Sequence, residues 1–172
     1  MSVFIGFVSL GGSLKANVLT RDSSGTPTQA TAGPTYRVYG SSGIMANGTG
    51  SAAQANTSTN ITGATNATPI VITSAAHGLS TGTRVTITGV GGNTAANTTA
   101  QVTRIDANTF SLDSVAGNGA YTSGGIWNVT GLYSATISCI GGDGYASGEN
   151  YILLWTFTVS VVRGDIDTFG VV

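Results

Sequence analysis

The stretch Tyr151-Ile152-Leu153-Leu154-Trp155-Thr156-Phe157-Thr158-Val159 decides the fold. Successive side chains of a strand point to opposite faces, so Leu153, Trp155, Phe157 and Val159 share one face. The other face still carries Ile152 and Leu154, which places this strand near the middle of a sheet. Working outward, the same alternation recurs. Leu132-Tyr133-Ser134-Ala135-Thr136-Ile137-Ser138-Cys139 puts Tyr133, Ala135, Ile137 and Cys139 on one face. Arg84-Val85-Thr86-Ile87-Thr88 and Thr109-Phe110-Ser111-Leu112 alternate as well. Gly/Asn/Ser/Asp clusters supply the turns between them: Asp22-Ser23-Ser24-Gly25, Gly91-Gly92-Asn93, Gly117-Asn118-Gly119 and Gly141-Gly142-Asp143-Gly144. No stretch of a dozen residues shows apolar positions at three-four spacing, and 26 glycines interrupt every candidate helix. The fold class is all-β.

Charge is nearly absent. Six basic and seven acidic side chains among 172 residues make 8% charged, a third of the ~25% usual for soluble domains. Disorder is not implied, because 41% of the chain is apolar and net charge is only -1. A surface this poor in charge carries little repulsion to keep copies apart, a condition suited to a protein packed into an assembly. Without clustered Lys and Arg there is no footprint for nucleic acid. The apolar start, residues 1 to 10, lacks a basic flank and falls short of the ~20 residues of a membrane span. It reads as a strand or docking arm, and no membrane partner is expected. Cys139 is the sole cysteine, so no internal disulfide exists. Asn-x-Ser/Thr occurs at Asn47, Asn56, Asn60, Asn66, Asn97 and Asn128, which in a chain so rich in Asn and Thr reads as chance.

A composition shift marks the organisation. Residues 49 to 67 are almost wholly Gly, Ser, Ala, Asn, Thr and Gln and read as a linker or exposed meander. A block of short strands follows, and the long strands resume after Gly131. The expected arrangement is a β-sandwich of residues 1–58 and 130–172, with a small β-domain of residues 59–129 inserted in one loop.

The inserted block has a pattern of its own. Pro69-Ile70-Val71-Ile72-Thr73, His77-Gly78-Leu79, Arg84-Val85-Thr86-Ile87 and Asn108-Thr109-Phe110-Ser111-Leu112 fall in order, closing at Tyr121, Gly124-Gly125 and Trp127. It resembles the small β-barrel repeats of phage virion proteins that carry the label of the first catalytic-cysteine half-domain of ubiquitin-activating enzymes. No ubiquitin chemistry is implied, because the block contains no cysteine. The outer part, with Leu19-Thr20-Arg21-Asp22, Pro34-Thr35-Tyr36-Arg37-Val38-Tyr39 and Gly131-Leu132-Tyr133, resembles the antiparallel Ig-like β-sandwiches of phage head-decoration, cement and tail-accessory modules. These resemblances imply a structural role in a virion.

The residues able to carry chemistry have plainer readings. His77, the only histidine, lacks the companions a catalytic base or metal site needs and reads as a turn residue bonded to backbone. Asp143 and Glu149 flank one Gly-rich loop and Asp165 and Asp167 stand two apart, a spacing open to a glycosidase pair or a cation, with turn chemistry the simpler reading. Cys139 reads as a buried small hydrophobe. No Gly-Lys-Ser/Thr follows any glycine run, which excludes a phosphate loop. Among the aromatics, Trp155 belongs with Phe157 in the core, whereas Tyr121 and Tyr145 are the candidates for exposed contacts.

The expected function is that of a non-enzymatic capsid decoration or cement protein on the phage particle. No cofactor or metal is expected. Its partners would be the major capsid protein and copies of itself, in a homo-oligomer expected as a trimer. Val3, Phe4, Ile5, Phe7 and Val8, with the sandwich, would form the shell-facing part. The competing readings are a tail or fibre component binding a host glycan through Tyr121 and Tyr145, and a cell-wall hydrolase using paired carboxylates.

Overall fold

The computed structural model describes residues 2–55, 57–58, 61–159 and 162–171, with side chains described for 6–55 and 61–159. Chain contacts divide it into two units, Met1–Gln54 with Gly131–Val172, and Ala55–Thr130. The first unit opens with β1 (Ser2–Val8), β2 (Ser13–Leu19), β3 (Ala32–Gly40), β4 (Gly43–Ser51) and β5 (Ala53–Gln54). The second holds β6 (Thr57–Ser58), β7 (Gly63–Ala64), β8 (Ile70–Thr73), β9 (Arg84–Thr88), β10 (Thr99–Arg104), β11 (Thr109–Leu112) and β12 (Ile126–Val129). The chain then returns to the first unit with β13 (Leu132–Ser138), β14 (Asn150–Thr158) and β15 (Val162–Val171). Single 3-10 turns at Thr94–Ala96 and Gly141–Asp143 are the helical content of the described residues.

In the first unit a five-stranded sheet, β1-β15-β14-β3-β4, and a three-stranded sheet, β2-β13-β5, share one core. β14 is the central strand, with β15 and β3 on either side. Its inward face buries Tyr151, Leu153, Trp155 and Phe157, and β13 contributes Tyr133, Ala135 and Ile137, followed by Cys139. Trp155 is fully buried and meets the edge of Tyr36 at 5.8 Å between ring centroids. The approach of Tyr36 to β4 requires a glycine there, since a Cβ on Gly50 would lie 2.8 Å from the phenol oxygen. One pairing departs from an all-antiparallel sandwich: β1 runs parallel to β15. The whole chain lies between these two strands, so no tight turn constrains their direction.

The second unit is one seven-stranded sheet, β6-β12-β9-β10-β11-β8-β7, curled into a half-barrel. β10 makes the corner: Thr99, Ala100 and Gln101 pair with β9, whereas Val102, Thr103 and Arg104 pair with β11. Inside the curl Phe110 and Trp127 meet edge to face at 6.2 Å, and Trp127 Nε1 donates to Ser74 Oγ at 2.9 Å. The stretch read as a linker is partly strand. β4 extends to Ser51, and β5, β6 and β7 fall within residues 53–64. Backbone groups make ladder hydrogen bonds whatever the side chain, so small polar residues can edge a sheet without an apolar signature.

Candidate assembly surface

The outer face of the five-stranded sheet leaves apolar side chains in water. Register aligns Ile44 of β4, Tyr39 of β3 and Ile152 of β14 in one cross-strand row. Ile44 is 51% exposed, Ile152 48%, and Tyr39 is half-buried. Leu154, half-buried, occupies the next outward position on β14, opposite Arg37 of β3. Phe7 of β1, 67% exposed, reaches the same face, because it pairs with Gly170, which pairs with the exposed Asn150. Exposed apolar side chains are ordinary one at a time; their alignment on one sheet face makes a patch. Farther along, Thr35, Thr49, Ser51 and Thr156 turn the face to hydroxyls. Leu10, in the β1–β2 turn, and Ile140, just past β13, are also exposed.

The N-terminal residues expected to act together separate. Phe7 is on the outer face, whereas Val8 points the opposite way and is buried in the sandwich core, so it is no surface contact. The alternation of β1 imposes that split. Val3, Phe4 and Ile5 belong to β1 by backbone pairing, and their side chains lie outside the described residues.

Tyr145 requires correction as well. It is 2% exposed, packed at 5.0 Å on Tyr151 beneath the loop that precedes β14. Burial first, then the proximity of Cys139, pushes its hydroxyl well above the usual phenol range. Its Gly-flanked position implied a loop tip, but the loop folds back over the ring. Tyr121 is half-buried against the second core, and its hydroxyl lies within donating distance of the carbonyls of Ile61 (2.9 Å) and Gly124 (3.2 Å). It clamps a loop.

His77 holds a turn. Its Nδ1 accepts from the Leu79 N–H at 3.0 Å, so the proton sits on Nε2, 3.0 Å from the carbonyl of Asp106. Its ring meets Phe110 at 5.1 Å. The Asp106 carboxylate caps the turn between β10 and β11, accepting the Asn108 and Thr109 N–H groups at 2.7 Å each. The Asn108 N–H is the main cause holding the carboxyl below its ordinary range. Asp22 organises the β2–β3 loop in the same way, held low chiefly by the Ser24 hydroxyl at 2.6 Å.

Asp143 and Glu149 do different things. Asp143 Oδ1 accepts from Asn47 Nδ2 at 3.0 Å, and its buried Oδ2 has no hydrogen-bond partner among the described residues. Glu149 edges a cavity of about 160 Å³ with Ser41, Ser42, Met45 and Tyr151, which Asp143 does not line. Asp165 and Asp167 have side chains outside the described residues. Among the described residues no three His, Cys, Asp or Glu gather as a metal site, and no helix is long and apolar enough to cross a membrane. The chance reading of the sequons fits two sites: Asn128 is buried in β12, and both amide ends of Asn97 are bonded to Val90 backbone.

Residues 66–130 match the family model of the ubiquitin-activating enzyme E1 FCCH domain, so the inserted unit is FCCH-like. The match spans β8 to β12, the part of the chain that carries His77, Phe110 and Trp127. No curated protein matches the chain.

Proposed function

We propose that this chain is a structural protein of a bacteriophage particle, a capsid decoration or cement protein bound to the outer head surface as a homo-oligomer. The observation that carries the reading is the apolar outer sheet face, Phe7, Tyr39, Ile44, Ile152 and Leu154, on a chain with thirteen acidic and basic side chains. Water penalises such a face, and burying it against a partner removes the penalty at roughly 25 cal/mol per Å² of apolar area. With so few charges the association needs no matched ion pairs, so it withstands changes in salt. The virion setting rests on resemblance: the pattern of the FCCH-like unit resembles repeats in phage virion proteins, and the pattern of the outer unit resembles phage decoration modules.

The mechanism involves no bond-making. A protein that binds the assembled shell and not its free subunits shifts the equilibrium toward the shell and raises its resistance to heat and internal pressure. The partners are then the major capsid protein and further copies of this chain. The test is quantitative mass spectrometry of purified particles. A copy number comparable to that of the shell subunit is expected. The low copy number of a tail component, or absence from the particle, overturns the assignment to the head.

A further inference from the structure

β14 carries apolar side chains on both faces and has a strand on each side. Strands of that pattern belong to sheets covered front and back. Here the chain's own core covers one face, while on the other Ile152 is 48% exposed and Leu154 only partly buried. We propose that the missing cover is a second copy of this chain, its five-stranded sheet stacked face to face on the first about a two-fold axis.

Area is the first argument. Strands are spaced about 4.8 Å and rise about 3.3 Å per residue. A face of five strands, the longer of them nine or ten residues, therefore measures about 24 by 30 Å, or roughly 700 Å². Two such faces bury on the order of 1,400 Å², inside the range of stable interfaces.

Chemical pattern is the second. The face is apolar toward the β3–β4 turn and hydroxyl-bearing toward its other end. An axis along β14, midway between the sheets, lays apolar end on apolar end and Ile152 beside its mate. Arg37 is the one charged residue among the described side chains of β14, β3 and β4 on this face. It stands one strand off that axis, on β3, so it faces β15 of the second copy and not the other Arg37. Sheets stacked this way sit about 10 Å apart with strands within about 30° of one another. The contact is isologous, so the species in solution is a dimer, in place of the trimer expected from the sequence.

The inference rests on the structural-protein reading for its purpose but is tested without the particle. Sedimentation velocity on the full chain is expected to show a dimer. Ile152→Lys and Ile44→Lys each place an ammonium in the buried patch and are expected to weaken the dimer about a hundredfold or more. Both positions are exposed in the single chain, so the melting temperature of the dissociated protein should be unchanged. Ile152→Cys is expected to be joined to its mate by a short bis-maleimide and not by a direct disulfide, since the two positions lie beside the axis on sheets about 10 Å apart, beyond disulfide reach. A monomer at all accessible concentrations overturns the inference. So does a dimer indifferent to both lysines, which puts the contact elsewhere. A monomer whose binding to stripped phage shells is lost with Ile152→Lys also overturns it, assigning the face to the shell and leaving the decoration reading intact. The copy-number measurement tests that reading separately.

Discussion

Trp155 shows what one residue contributes to this fold. It is fully buried at the centre of the sandwich and set edge-on to Tyr36. Trp155→Ala is expected to cost about 3–5 kcal/mol in a urea titration, against about 0.5 kcal/mol or less for Thr156→Ala beside it on the exposed face. Cys139, also fully buried, has its thiol pushed up by desolvation, so little reactive thiolate forms. Labelling with a maleimide is expected to fail on the native protein and go to completion in denaturant. Asp106 links unit stability to pH. Its folded carboxyl sits below the ordinary range, so it contributes stability above the unfolded value of about 3.9, lost as pH falls through the folded value. Melting of the FCCH-like unit should therefore fall on acidification below about pH 4, and Asp106→Asn should flatten that fall. Readings that depended on exposure fared worst at this scale. The alternation that buries Tyr133, Ala135, Ile137 and Cys139 was visible in the chain, whereas the fate of Tyr145 depended on which way a loop folds.

At the scale of elements, glycines decide where strands can turn. Gly92 combines φ of +77° with a tight approach, since a Cβ there would fall on the carbonyl oxygen of Ala120. Gly92→Ala is expected to destabilise the second unit by about 2–4 kcal/mol, with both strain and overpacking contributing. Gly82→Ala is the control. Its φ is +91°, but the nearest atom to its Cβ is the amide nitrogen of Gln101 at 3.6 Å, so about 1 kcal/mol is expected. Thermal unfolding followed by tryptophan fluorescence separates the two. β9, β11, β13 and β14 were legible because apolar residues recur at every second position along each. β5, β6 and β7 were not, because they are two-residue edges held by backbone pairing. The direction of β1 was equally hidden, since parallel and antiparallel partners bury the same side chains.

At the scale of the molecule, the inserted unit should be separable. Gln54 pairs with Tyr133 and Ala53 with Ser134, so the first unit's two broken ends already lie on neighbouring strands. Thr57 pairs with Asn128 and Ser58 with Trp127, which does the same for the second. Each unit also has its own apolar core. Joining residue 54 to residue 131 through a short Gly-Ser linker is expected to leave a folded sandwich, and residues 55–130 alone are expected to fold. Dispersed amide spectra of both pieces check this; a collapsed spectrum for the inserted unit would show that its core is not self-sufficient.

The amino-acid order by itself determined the all-β class, the interruption of one β-unit by another, the FCCH-like pattern of the insert and the core faces of the long strands. These follow from local periodicity and turn chemistry, which act over a few residues. Only the tertiary structure decided that Tyr145 is covered, that Val8 and Phe7 part company, and that the second apolar face of β14 meets solvent. Each of those depends on what packs against a residue from far along the chain, and a side chain's own type and spacing do not specify its cover.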